Sequence, residues 1–120
     1  MEKQSIVILF MLSIILLGNT SFKPVQTSKT KLYVTVIDGS GNQIEDAAIT
    51  IYTSEDDYKN NANKLIEGKT DKKGKFQFKG LGIRSYFLDV RKNAMNNDGE
   101  DVQTGLLSEG KINRVIVVIK

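Results

Sequence analysis

The chain has 120 residues with no cysteine, histidine or tryptophan, and its 17 basic and 14 acidic side chains leave a net charge of +3. That length suits one domain, and that charge is too small to mark a nucleic-acid-binding surface. The missing cysteine excludes disulfides, thiolate zinc, a thiol nucleophile and a lipidated cysteine, and the missing histidine removes the commonest general base and metal ligand.

Residues 1–21 read as an export signal. Lys3 supplies a positive start, residues 6–17 are apolar except for Ser13, and Gly18-Asn19-Thr20-Ser21 is small and polar. The apolar run is well short of the roughly 20 residues a spanning helix needs. Cleavage after Thr20 or Ser21 is expected, with an uncleaved anchor as the other reading. Residues 22–30, with Pro24 as the only proline, read as a flexible linker.

The period then changes to two, and residues 31–120 read as one β-sandwich domain. Leu32, Val34 and Val36 alternate with Tyr33, Thr35 and Ile37, which predicts a first strand. Asp38 to Asn42 is a turn with two glycines. A second strand is expected over 47–53, with Ile49 and Ile51 on one face. Ser54-Glu55-Asp56-Asp57 matches a helix start, so a short helical turn is expected near 55–60, with Tyr58 folding back over the sandwich end. A third strand is expected over 64–70 and a hairpin turn at 71–74. A fourth follows over 75–79 with Phe76 and Phe78 inward, and a fifth over 85–91 with Tyr86, Leu88 and Val90 on one face. Residues 92–100 read as a polar loop, 101–107 as a weakly patterned sixth strand and 112–119 as the last. The apolar run 115–119 predicts a strand buried on both faces or central in its sheet. The sum is an all-β, seven-stranded Greek-key sandwich.

An ordered series of segments carries a family likeness. It runs through residues 32–38, Gly41, Ile44, Asp46-Ala47, residues 49–51, Gly68 to Asp71, residues 73–78, Gly80-Leu81 and residues 86–88. Together these resemble the carboxypeptidase-regulatory-like or Cna-B-like domains, which have the transthyretin-like fold. The resemblance implies positions for a lysine and an acid of an intramolecular isopeptide bond. Here those positions hold Val36 and Val90, and residues 115–120 offer no asparagine, so no cross-link is expected. A hydrolase of the same fold implies a histidine-containing site, which this chain cannot build.

Five residues are singled out for an interaction surface: Tyr58, Lys72, Lys73, Asp98 and Asp101. The acidic loop 96–101 offers oxygen ligands for calcium but departs from the twelve-residue calcium-loop spacing. Glu55 to Asp57 read as helix-capping acids and Asp38 and Asp71 as turn residues, not as a carboxylate pair. Lys72, Lys73, Lys75 and Lys79 form a basic hairpin that either protects an exposed edge or meets an anionic partner. Tyr33, Tyr52, Tyr58 and Phe87 are aromatics that can stack on sugars or pack in the sandwich. No catalytic, cofactor or metal set is expected.

The expected function is a non-catalytic exported module of the bacterial cell envelope. It acts through protein contact or as a structural accessory, using sheet edges and the loops 55–63 and 92–101. Its expected partner is an envelope or extracellular protein, with no nucleic acid and no membrane insertion after signal cleavage. A carbohydrate- or calcium-binding module is the alternative. Export by the general secretory route to periplasm, surface or medium is expected, without lipid anchoring.

Overall fold

The structure, a computed structural model, describes residues 29–120. The export signal and residues 22–28 of the expected linker lie outside them. Two sheets face each other. One has the order β4 (Lys75–Lys79), β1 (Lys31–Asp38), β7 (Ile112–Ile119). The other has the order β3 (Ile66–Lys69), β2 (Ala48–Tyr52), β5 (Phe87–Lys92), β6 (Met95–Asn96).

The alternation in β1 does what the period implies. Leu32, Val34 and Val36 are fully buried, and their register partners on β4 and β7 face inward with them. From the opposite sheet come Ile49, Ile51, Leu88 and Val90, all buried. Tyr86 and Leu107 complete this core from the segments flanking β5 and preceding β7. The sandwich also takes in Thr30, the last residue assigned to the linker. It is buried, and its Oγ1 accepts from Gly110 N–H at 2.8 Å.

The two sheets are joined at both edges. On one side the turn after β3 leads into β4, and Asp71 Oδ1 accepts from the N–H groups of Lys73 and Lys75 at 2.8 and 3.0 Å. Gly74 closes this turn at φ +76°, where a Cβ would stand 2.8 Å from Val36 O. On the other side Asn96 and Lys120 exchange both backbone hydrogen bonds, at 3.0 and 2.9 Å.

Three expectations need correction. The sixth strand is not over 101–107. That segment touches β5 through a single bridge, Gln103 to Phe87, and the sixth strand is Met95–Asn96, inside the expected polar loop. Edge space beside β5 is filled by a sharp return of the chain at Asn93, which takes φ 56°. The last strand is neither central nor buried on both faces. Among the described residues β7 is an edge strand pairing only with parallel β1, and Ile116 is 68% exposed on its outer face. Tyr58 covers the outer face of the four-stranded sheet and not a sandwich end. It packs on Tyr52 and Phe87, outward residues of β2 and β5, with ring centroids at 6.0 and 6.3 Å.

Candidate functional site: a charged cleft under a short helix

The site begins with the helix start. Ser54 is extended, and its Oγ accepts from Asp57 N–H at 3.1 Å, so helix α1 (Glu55–Asn60) begins at its expected residue. Glu55, Asp56 and Asp57 occupy the first turn, where the helix dipole favours acids. Asn61 ends the helix in the left-handed region. This fixes Tyr58 above β2 and β5.

Strand β5 supplies the floor. Leu88 and Val90 point into the core, so Asp89 and Arg91 point outward. Asp89 is buried beneath the helix, and Arg91 Nε donates to both its oxygens at 3.0 and 3.2 Å. Arg91 Nη2 also donates to Asp98 Oδ1 at 3.3 Å. One guanidinium thus links the strand to the loop after β6. The hydrogen bond to Asp89 holds Arg91 more firmly protonated than usual. Burial pushes the Tyr58 hydroxyl above its ordinary 10.0, and Asp98 and Asp89 add to the effect. Tyr58 is therefore a neutral hydrogen-bonding group at physiological pH.

Tyr58, Lys59, Asn61, Asp89, Arg91 and Asp98 line a cleft of about 190 Å³. It is open and polar, and its central cation is already paired. The arrangement suits recognition by hydrogen bonds and charge. Two residues singled out in the sequence, Tyr58 and Asp98, meet here. Lys72 and Lys73 lie on the β3–β4 turn and Asp101 accepts from Gln103 N–H, and none of the three lines the cleft.

The other candidates resolve into local roles. Asp38 accepts from the N–H groups of Ser40 and Asn42 at 2.9 Å, and Asp71 is likewise engaged in its own turn. In the acidic loop, Asp98 faces Arg91 and Glu100 pairs with Lys120 at 2.9 Å. Among the described residues no three carboxylates converge. Tyr52, Tyr58 and Phe87 pack on one another, while Tyr33 lies on the opposite sheet beneath Arg114 at 5.4 Å. A more apolar cavity of about 350 Å³ lies at the loop Gly80 to Arg84, lined in part by Leu65, Ile66 and Tyr86.

Asp89 and Arg91 were missed at the sequence level. The signal was present: residues on either side of Val90 in an alternating strand must share the outward face.

No protein-family model matches the chain, and no curated protein matches it. Solved structures do. The TIE protein of Bacillus anthracis matches with a TM-score of 0.57 and 28% identity, over 75% of this chain and 17% of that one. The pilus 2b backbone protein of group B streptococcus matches with a TM-score of 0.51 and 18% identity, over 75% of this chain and 40% of that one. The fold is that of a Cna-B-like, transthyretin-like domain. This chain spans well under half the length of either neighbour. The isopeptide positions named above, Val36 and Val90, are fully buried among core aliphatics.

Proposed function

We propose that this chain is a non-catalytic structural accessory module of the bacterial cell envelope that works by protein–protein contact. The observation that carries this reading is the shared fold with the Bacillus anthracis protein at 28% identity, together with the pilus backbone likeness in fold. The charged cleft supplies the contact chemistry. Tyr58 offers an aromatic edge with a polar tip, of the kind enriched at protein interfaces. Asp98 offers an exposed carboxylate beside it.

The reading of residues 1–21 as an export signal supports a place outside the cytoplasm. Affinity capture from solubilised envelope tests the proposal. A tagged chain retains a specific protein, and Asp98→Ala with Tyr58→Phe weakens that retention. Equal recovery by wild type and variant removes the cleft from the account.

A further inference from the structure

Strand β7 leaves one side of its backbone unused. Lys31 N–H donates to Lys111 O at 3.0 Å, the first rung of the parallel β1–β7 ladder. In a parallel pair, alternate residues of a strand turn both backbone groups to the same neighbour. Asn113, Val115, Val117 and Ile119 therefore serve β1, and Ile112, Arg114, Ile116 and Val118 direct their N–H and C=O groups the other way. Among the described residues nothing pairs with those four. Lys120, next in the same series, shows that this side of the chain takes a partner: it exchanges both backbone bonds with Asn96, at 2.9 and 3.0 Å.

The other edges of the two sheets are short or charged. β6 has two residues, β3 carries Glu67 and Lys69, and β4 carries Lys75 and Lys79. β7 has eight residues, with Arg114 as its only charge and no proline. Ile112 and Ile116, on the outer face beside the free edge, are 48% and 68% exposed. A long apolar edge of this kind is a template for another strand.

We propose that this edge pairs antiparallel with β7 of a second copy of the chain, joining two three-stranded sheets into one continuous sheet. The inference is independent of the Tyr58 cleft, which lies on the other sheet. Self-complementarity decides the occupant. The free residues are the even-numbered ones, and in an antiparallel pair they must meet each other. One register uses all of them: Ile112 stands opposite Val118 of the second copy and Arg114 opposite Ile116, and the same pairs recur in reverse. Val115 then faces its own copy on the two-fold axis. Each even-numbered pair exchanges two hydrogen bonds, and aliphatic side chains meet at both ends of the contact. A shift of the register one way sets Arg114 directly against its own copy, a like-charge pair. A shift the other way calls on Lys120, whose backbone is taken by Asn96. Arg114 is held over the Tyr33 ring of β1 at 5.4 Å, which draws its guanidinium away from the edge and from its symmetry mate.

The test is sedimentation velocity on the full chain, purified as the producing cell makes it. Wild type passes from monomer to dimer between about 1 and about 200 μM, the range of a small interface. Ile116→Lys sets a lysine against Arg114 of the second copy at two symmetric points and weakens association about tenfold. Gln77→Lys adds the same charge to the same face on β4 and leaves association near wild type. Ile112→Lys reproduces the loss if Ile116→Lys folds poorly. The chain has no cysteine, so Val115→Cys forms a disulfide only between copies. It cross-links under mild oxidation, and Val117→Cys, about 14 Å from its own copy in this register, does not. A monomer at every concentration, whether residues 22–28 or another protein holds the edge, overturns the proposal. So does equal loss in Ile116→Lys and Gln77→Lys, no cross-link at position 115, or equal cross-linking at positions 115 and 117.

Discussion

Asn97 stands in for a strand beside β5: its Oδ1 accepts from Val90 N–H at 3.0 Å and its Nδ2 donates to Leu88 O at 3.0 Å. The side chain is fully buried. It continues the pairing that β6 begins at Arg91 and Lys92 and abandons after two residues. Asn97→Leu keeps the branching at Cγ but leaves two buried backbone groups without partners. The expected loss is about 2–6 kcal/mol, at roughly 1–3 kcal/mol for each of the two orphaned groups. Urea unfolding monitored by circular dichroism measures it.

Gly68 makes room for an aromatic ring. A Cβ there would meet Phe76 ring atoms at 2.5–2.9 Å. The ring packs against the core beside the buried Phe78, with centroids 4.7 Å apart. Gly68→Ala therefore destabilises by about 1–3 kcal/mol through overpacking. In a double-mutant cycle Phe76→Leu recovers part of that loss, because the smaller side chain vacates the contact.

Stability falls at both ends of the pH range, for opposite reasons. The Asn42 N–H holds the Asp38 carboxyl below its ordinary 3.8, and the Lys75 N–H does the same for Asp71. Both turns are thus fully supported above pH 3.8 and lose support as pH falls through the lowered folded values. Burial raises the hydroxyls of Tyr86, Tyr52 and Tyr58 above 10.0. Stability is lost as pH climbs above 10.0, because the unfolded tyrosines ionise first. Urea midpoints against pH show both limbs, and Asp38→Asn with Asp71→Asn flattens the acid one.

Much of this fold was legible in local pattern. Period two placed Leu32, Val34 and Val36 inside, Ser54 marked the helix start, and Asp71 with Gly74 marked the hairpin. The failures share one cause. Each concerns which neighbour a segment meets, whether the tight return from β5 to β6, the edge place of β7 or the rings beneath Tyr58, and periodicity does not report that. Asn97 looks like a loop residue until β5 is seen to lack a neighbour there. The apolar run in β7 looks central until Ile116 and Val118 are placed outward on an edge strand. Thr70 is similar: its hydroxyl accepts from Ala47 N–H at 2.8 Å and donates to Ile44 O at 2.7 Å, a link between loops no window spans. The cleft was half legible. Tyr58 and Asp98 were named separately, and only the strand alternation through Asp89 and Arg91 brings them together.

No isopeptide cross-link is expected at the positions that the resemblance to Cna-B-like domains implies. Val36 and Val90 fill buried positions with side chains that cannot form an amide. The denatured chain is expected to show the mass of its linear sequence by intact mass spectrometry. A deficit of one ammonia contradicts the assignment.

The central claim is that this module works by protein contact at the cell envelope. Photo-crosslinking in the producing cell tests it most directly. A photoreactive phenylalanine analogue replaces Tyr58 in the cleft, and a second probe replaces the exposed Lys111 as a control. The account predicts a discrete adduct with another protein in the envelope fraction from position 58 and none with another protein from position 111. No adduct at position 58, or a chain confined to the cytoplasmic fraction, contradicts it.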